Sequence, residues 1–188
     1  MIFTIAGKEL KALFASPLAW VVLTFLQIIL AFGFLKRLDD FGQIQPQLIQ
    51  MPNPPGVTEL VVAPLFATLA IVLLFAVPLL AMRLIAEERR NQTMVFLISA
   101  PLSMTEIVLG KFIGLMAFLL LIVGITALMP LSLLLGGRLD FGLLASLIMG
   151  AALLAACFAA VGLYATCVTA HPLAAAMVAF SLLLGMLL

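Results

Sequence analysis

Apolar residues in this chain fall into long runs separated by short polar interruptions. A helix needs about 20 predominantly apolar residues to cross about 30 Å of hydrocarbon. Pro17–Leu35 meets that length, interrupted only by the weakly polar Thr24 and Gln27. Leu60–Met82 is a second run and contains Pro64 and Pro78. The third, Ile107–Leu135, has Lys111 near its start and Pro130 near its end, and the fourth, Phe141–Val168, is rich in Ala and Gly. Leu173–Leu188 begins a fifth, but at about 1.5 Å per residue it reaches only about 24 Å. The pattern predicts four full spans and most of a fifth. It also leads us to expect that the natural protein continues beyond this run or leans on another chain at that end.

Ahead of the first run, Thr4, Lys8 and Lys11 recur at helical spacing, while Phe3, Ala6, Leu10, Leu13 and Phe14 fall mostly on the opposing side. This pattern predicts a helix over residues 1–15 lying in the membrane interface, with lysine stems reaching the headgroups. Ser16-Pro17 should break it and turn the chain into the bilayer. Trp20 follows at the depth where aromatic side chains anchor. No small-residue cleavage pattern follows the first run, so that run should remain as an anchor. Segments on the side of the N-terminus hold Lys8, Lys11, Arg83, Arg89, Arg90 and Lys111, against Lys36, Arg37 and Arg138 on the other. The excess of positive charge places the N-terminus in the cytoplasm. On the outer side, Lys36–Glu59 reads as a polar, irregular loop and Gly136–Asp140 as a tight turn. Thr169–Pro172 reads as a short inner loop.

Composition fixes the solvent. The chain of 188 residues is 66% hydrophobic and 9% charged, with a mean hydropathy of +1.37. Soluble domains are about 45–50% apolar and about 25% charged, so a water-soluble fold could not cover this much apolar surface. The expected fold is all-α: a polytopic transmembrane helix bundle forming a single domain, in contact with membrane lipid and with no nucleic-acid role. Cys157 and Cys167 are isolated thiols that fit neither a disulfide framework nor a zinc pattern. His171 is the only histidine, which removes a His-containing metal cluster. A phosphate-cradling G-x-x-x-x-G-K-[ST] loop is missing, because Gly7-Lys8 and Gly110-Lys111 lack the upstream Gly and the following Ser or Thr. No Gly-x-Ser-x-Gly occurs, and no Asp or Glu lies deep in a run, as a proton relay would require. The residues therefore predict no catalytic site, no metal and no cofactor in this chain.

The densest charge, Glu87-Glu88-Arg89-Arg90, lies just beyond the second run. Met94, Phe96, Leu97 and Ile98 follow at close helical spacing, Ala100-Pro101 stops them, and Ser103 or Thr105 can cap the next helix. Glu106 then falls in that helix's first turn, as the helix dipole favours. The segment reads as a short cytoplasmic helix braced between two spans, with its charges available to a soluble partner. The plainer alternative is a loop whose charges only set topology. Small residues at Gly110 and Gly114, and at Ala152, Ala156 and Ala160, suit close approach of helix backbones within or between subunits.

Residues 86–111 resemble the connection between the second and third spans of type-2 ABC transporter permeases, especially the gliding-motility-like branch. Glu87–Arg90 match its charged cluster, Thr93 its Thr, and Phe96-Leu97-Ile98 its aliphatic run. Ser99, Pro101 and Ser103 match its break, and EIVLGK, Glu106–Lys111, its third-span start. KELKALFASPLAWVVLTF, Lys8–Phe25, resembles the interfacial helix and first-span start of the same branch. Gln92 stands where the family usually has Gly, and Val95 where it often has an acid. The resemblance implies a permease in the bacterial inner membrane that pairs with a second copy or a paralogue. It further implies docking on a separate ABC ATPase subunit, which would carry ATP and Mg²⁺ and drive transport, export being the commoner direction. Glu87, Glu88, Arg89, Arg90, Phe96, Leu97 and Pro101 become the candidates for coupling to that ATPase. Competing readings are a secondary carrier or channel, for which the spans offer mainly Gln27, Thr68, Thr126 and Ser146, and a non-transporting membrane scaffold.

Overall fold

In the computed structural model the described residues are 2–48, 54–90, 103–135, 139–169 and 171–187. Six α-helices account for nearly all of them: α1 Ile2–Ala15, α2 Pro17–Leu48, α3 Ala63–Arg90, α4 Met104–Leu131, α5 Phe141–Val168 and α6 Pro172–Leu187. The fold is an all-α helical bundle. Among the described residues four segments are long and apolar enough to cross a membrane, namely Pro17–Pro46, Thr58–Met82, Thr105–Leu134 and Phe141–Val168, while Pro172–Met186 is shorter. The protein is a multi-pass membrane protein.

Each helix boundary has a local cause. α1 stops where Ser16 N–H closes onto the Leu13 carbonyl at 3.1 Å, and Pro17, with no N–H to leave unpaired, opens α2. The Trp20 indole N–H donates to the Phe14 carbonyl at 2.7 Å, satisfying an acceptor that the end of α1 leaves open. α3 is entered through a π-helical turn, Thr58–Val62, in which Ala63 N–H reaches the Thr58 carbonyl. Pro64 cannot donate to the residue four before it, which fits the wider turn at this place. Ser103 caps α4: its hydroxyl accepts from Glu106 N–H at 3.3 Å and its own N–H donates to the Glu106 carboxylate at 3.2 Å. This reciprocal pair satisfies two donors at once. Asp140 caps α5 by accepting from Gly142 and Leu143 N–H, and its own N–H donates to Thr58 Oγ1 at 3.0 Å. That bond ties the start of α5 to the start of the second span.

Two helices run well past the ends of their apolar stretches. α2 has 32 residues, about 48 Å at about 1.5 Å per residue, and carries the chain through Lys36–Leu48, where an irregular loop is expected. Polarity marks where lipid contact ends, but a backbone hydrogen-bond ladder does not need lipid. The Gln43 amide donates to Asp39 at 3.2 Å one turn away, in support of the continued helix. Likewise α3 continues beyond Met82 to Arg90.

The core centres on α3. Leu65, Leu69, Leu73, Val77 and Leu80 recur at three- and four-residue spacing and are inaccessible. They pack with Leu115, Phe118, Leu119 and Ile122 of α4, with Ala155, Phe158, Ala159 and Leu163 of α5, and with Leu183 of α6. In the second span 56% of the most apolar stretch is buried, against 22% in the first and fourth, so α2 and α5 are less enclosed by the rest of the chain than α3. A Cβ on Gly162 would meet Ala81 Cβ at 3.0 Å and Val77 at 3.2 Å, so α5 approaches α3 there at backbone range. Ala155 and Ala159 are buried on that side of α5, Ala152 and Ala156 are half-buried, and Ala160 is exposed.

Candidate functional site

Residues 86–111 run from the last turns of α3 into the first turns of α4, and the structure divides the coupling candidates. Glu87, Glu88, Arg89 and Arg90 form the last turn of α3, about eight residues or 12 Å beyond Met82 along the helix axis. Phe96, Leu97 and Pro101 lie outside the described residues. From Ser103 onward the chain is again described, as a capped helix.

The first turns of α4 hold α1. Gly110 and Gly114 remove the side chains that would separate the two helices. A Cβ at Gly110 would sit 2.6 Å from Ile5 Cγ2 and 3.3 Å from the Ile2 carbonyl. One at Gly114 would sit 2.7 Å from Glu9 Cβ and 3.1 Å from the Ala6 carbonyl. Farther along, the Phe14 ring meets the Phe118 ring edge-on, with centroids 5.6 Å apart, and Trp20 at 5.8 Å. Ile5 against Gly110, Glu9 against Gly114 and Phe14 against Phe118 follow the same order in both helices. Therefore α1 runs beside α4 in the same chain direction for about three turns. Ala6, Glu9 and Leu13 are buried, whereas Phe3, Thr4, Lys8 and Lys11 are exposed. The apolar side of α1 is thus largely covered by protein, and Phe3 departs from it at 82% exposure.

Within this seam Lys111 Nζ donates to Glu9 Oε1 at 3.0 Å, the two side chains being 5% and 7% exposed. Sealed from water, each charge would be costly alone, and the attraction between them offsets that cost only because they meet at hydrogen-bond distance. The pair joins positions 102 residues apart and lies eight residues past the Ser103 cap.

Glu9 is the buried partner that the sequence pattern concealed. Between Lys8 and Lys11 it reads as part of a polar face, yet Ala6, Glu9 and Leu13 share a helical face by their spacing. A carboxylate on the apolar stripe of α1, and a lysine four residues into an apolar run, are complementary anomalies, and that was the available signal.

Polar side chains inside the spans are mostly used locally. The Gln27 amide donates to the Ile122 carbonyl at 3.3 Å and approaches Thr126 Oγ1 at 3.5 Å, while Thr126 donates to Ile122 at 2.9 Å. Ser146 donates to the Leu143 carbonyl. Thr68 donates to Pro64 and accepts from Arg37. Among the described residues no three His, Cys, Asp or Glu side chains gather as metal ligands, and Cys157 and Cys167 are free thiols.

Compared with known proteins, residues 3–188 match the family model described as ABC-2 family transporter protein. No curated protein and no solved structure matches the chain.

Proposed function

The chain belongs to the ABC-2 transporter family, matched over residues 3–188, and from that premise we propose that it couples ATP hydrolysis on a separate subunit to export across the bacterial inner membrane. On this reading the N-terminus is cytoplasmic, the permease pairs with a second copy or a paralogue, and the sequence belongs to the gliding-motility-like branch. ATP and Mg²⁺ are held by the partner ATPase. Residues 83–102 receive the ATPase: Glu87, Glu88, Arg89 and Arg90 make polar contacts, Phe96 and Leu97 fill an apolar groove, and Pro101 sets the bend into α4. Closing of two ATPases on ATP pushes these segments, and the spans alternate the access of the pathway between them.

The observation that carries this reading is the α1–α4 clamp at the root of the segment. A push is useful only if it enters a stiff body. The buried Glu9–Lys111 pair and the two-glycine seam join two helices within three turns of the place where the push would arrive.

Co-purification with the partner ATPase and ATP turnover of the assembled complex test the proposal. Phe96→Ala should weaken assembly by about tenfold or more, as loss of an aromatic anchor does. The double charge reversal Glu87→Lys/Arg90→Glu should lower both assembly and turnover. If both variants assemble and turn over like the wild type, the docking role is refuted.

A further inference from the structure

The fold puts one charge where an apolar side chain is due. Leu30, Phe34, Arg37 and Phe41 follow at four- and three-residue spacing along α2 and so share one face. Leu30 and Phe34 are buried and Phe41 packs against the core, so this face is turned toward the protein and carries half-buried Arg37 with it. The guanidinium folds back toward the start of the helix, as helical side chains do. Its Nη1 lies 3.7 Å from where a Cβ on Gly33 would be, one turn deeper into the bundle. Nη2 donates to Thr68 Oγ1 of α3 at 3.2 Å. Thr68 in turn gives its proton to the Pro64 carbonyl at 2.9 Å, which fixes its oxygen as an acceptor facing Arg37.

This contact holds the guanidinium without neutralising it. Among the described residues no carboxylate lies within ion-pair range of Arg37; Asp39 accepts from Gln43, and both Asp39 and Asp40 are exposed. A guanidinium has five donors in a planar fork, and the hydroxyl uses one of them. Partial burial makes a charge costlier to leave unpaired, and Arg37 stands just past the apolar run Pro17–Leu35, where headgroups and dissolved anions both reach. We infer that Arg37, braced by Thr68, is an anion-binding station between α2 and α3 that takes a phosphate-type oxyanion. The fork matches paired oxyanion oxygens. The occupant is either a lipid headgroup or a free phosphate.

The station is tested on the full chain in detergent, without ATPase, so that a negative result leaves the permease proposal standing. Binding of phosphatidylglycerol and of phosphatidylcholine is counted by native mass spectrometry, and thermal unfolding is followed with inorganic phosphate. Wild type should prefer phosphatidylglycerol by about tenfold, the effect of one charge-assisted contact, or be stabilised by phosphate. The first result assigns the station to a headgroup and the second to a free anion. Arg37→Gln should abolish the effect, Arg37→Lys should keep part of it because the charge remains without the fork, and Lys36→Gln should keep all of it. Two results overturn the inference: equal binding of both lipids by the wild type with no response to phosphate, or a preference unchanged in Arg37→Gln. If Arg37→Gln does not fold, Arg37→Lys against Lys36→Gln decides: equal effects in these two variants overturn the inference.

Discussion

Replacing Lys111 with methionine is expected to destabilise the protein by about 3–5 kcal/mol, the cost of leaving one member of a buried ion pair without its partner. Glu9→Leu should cost a similar amount for the converse reason. Domains are stable by only about 5–15 kcal/mol, so either change removes a large share of the total. The double variant Glu9→Leu/Lys111→Met should recover most of the loss, because an apolar pair of similar volume leaves no charge in the seam. Lys111 has contacts besides Glu9, so the double-mutant cycle rather than either single change isolates the pair. Thermal unfolding of the purified chain in detergent measures all four corners. A coupling energy near zero would mean that the pair does not hold α1 to α4.

The second large effect is expected at Gly114. In an ordinary helix interior, replacing Gly stabilises by up to about 1 kcal/mol. Here the sign should reverse, because a Cβ would lie 2.7 Å from Glu9 Cβ and 3.1 Å from the Ala6 carbonyl, atoms on or beside the α1 backbone that cannot swing away. Gly114→Leu should displace α1 from α4, expose the Glu9–Lys111 pair and lower the unfolding temperature sharply. Gly150 provides the control, since nothing lies within 4 Å of a Cβ added there. Gly150→Ala should be neutral or mildly stabilising. Equal unfolding temperatures for Gly114→Leu and wild type would show that α1 does not depend on close approach at this glycine.

The spans themselves were legible because lipid imposes one requirement, a long apolar run, and hydropathy reads it directly. The α4 cap was legible for a similar reason: Ser103 and Glu106 stand three residues apart, and a capping box is a local device. Helix ends in water were harder. Polar residues from Lys36 onward signal departure from lipid, yet α2 continues to Leu48 because a solvated helix remains hydrogen-bonded. Pairings across the bundle could not be read from local spacing. Glu9 and Lys111 are 102 residues apart, and Arg37 counts as an outer-loop charge until the continuing helix places it in line with Leu30, Phe34 and Phe41. The residues between Asn91 and Leu102 lie outside the described ones, so Phe96, Leu97 and Pro101 rest on the pattern of the sequence and its family.

The account depends most on which side of the membrane the α3–α4 connection occupies. In a chain with Cys157 and Cys167 replaced by alanine, a single cysteine is introduced as Glu88→Cys or as Gln43→Cys, and intact cells are treated with a membrane-impermeant maleimide. The account predicts that position 43 is labelled at once and position 88 only after the cells are permeabilised. Labelling of position 88 in intact cells, with position 43 protected, would contradict it.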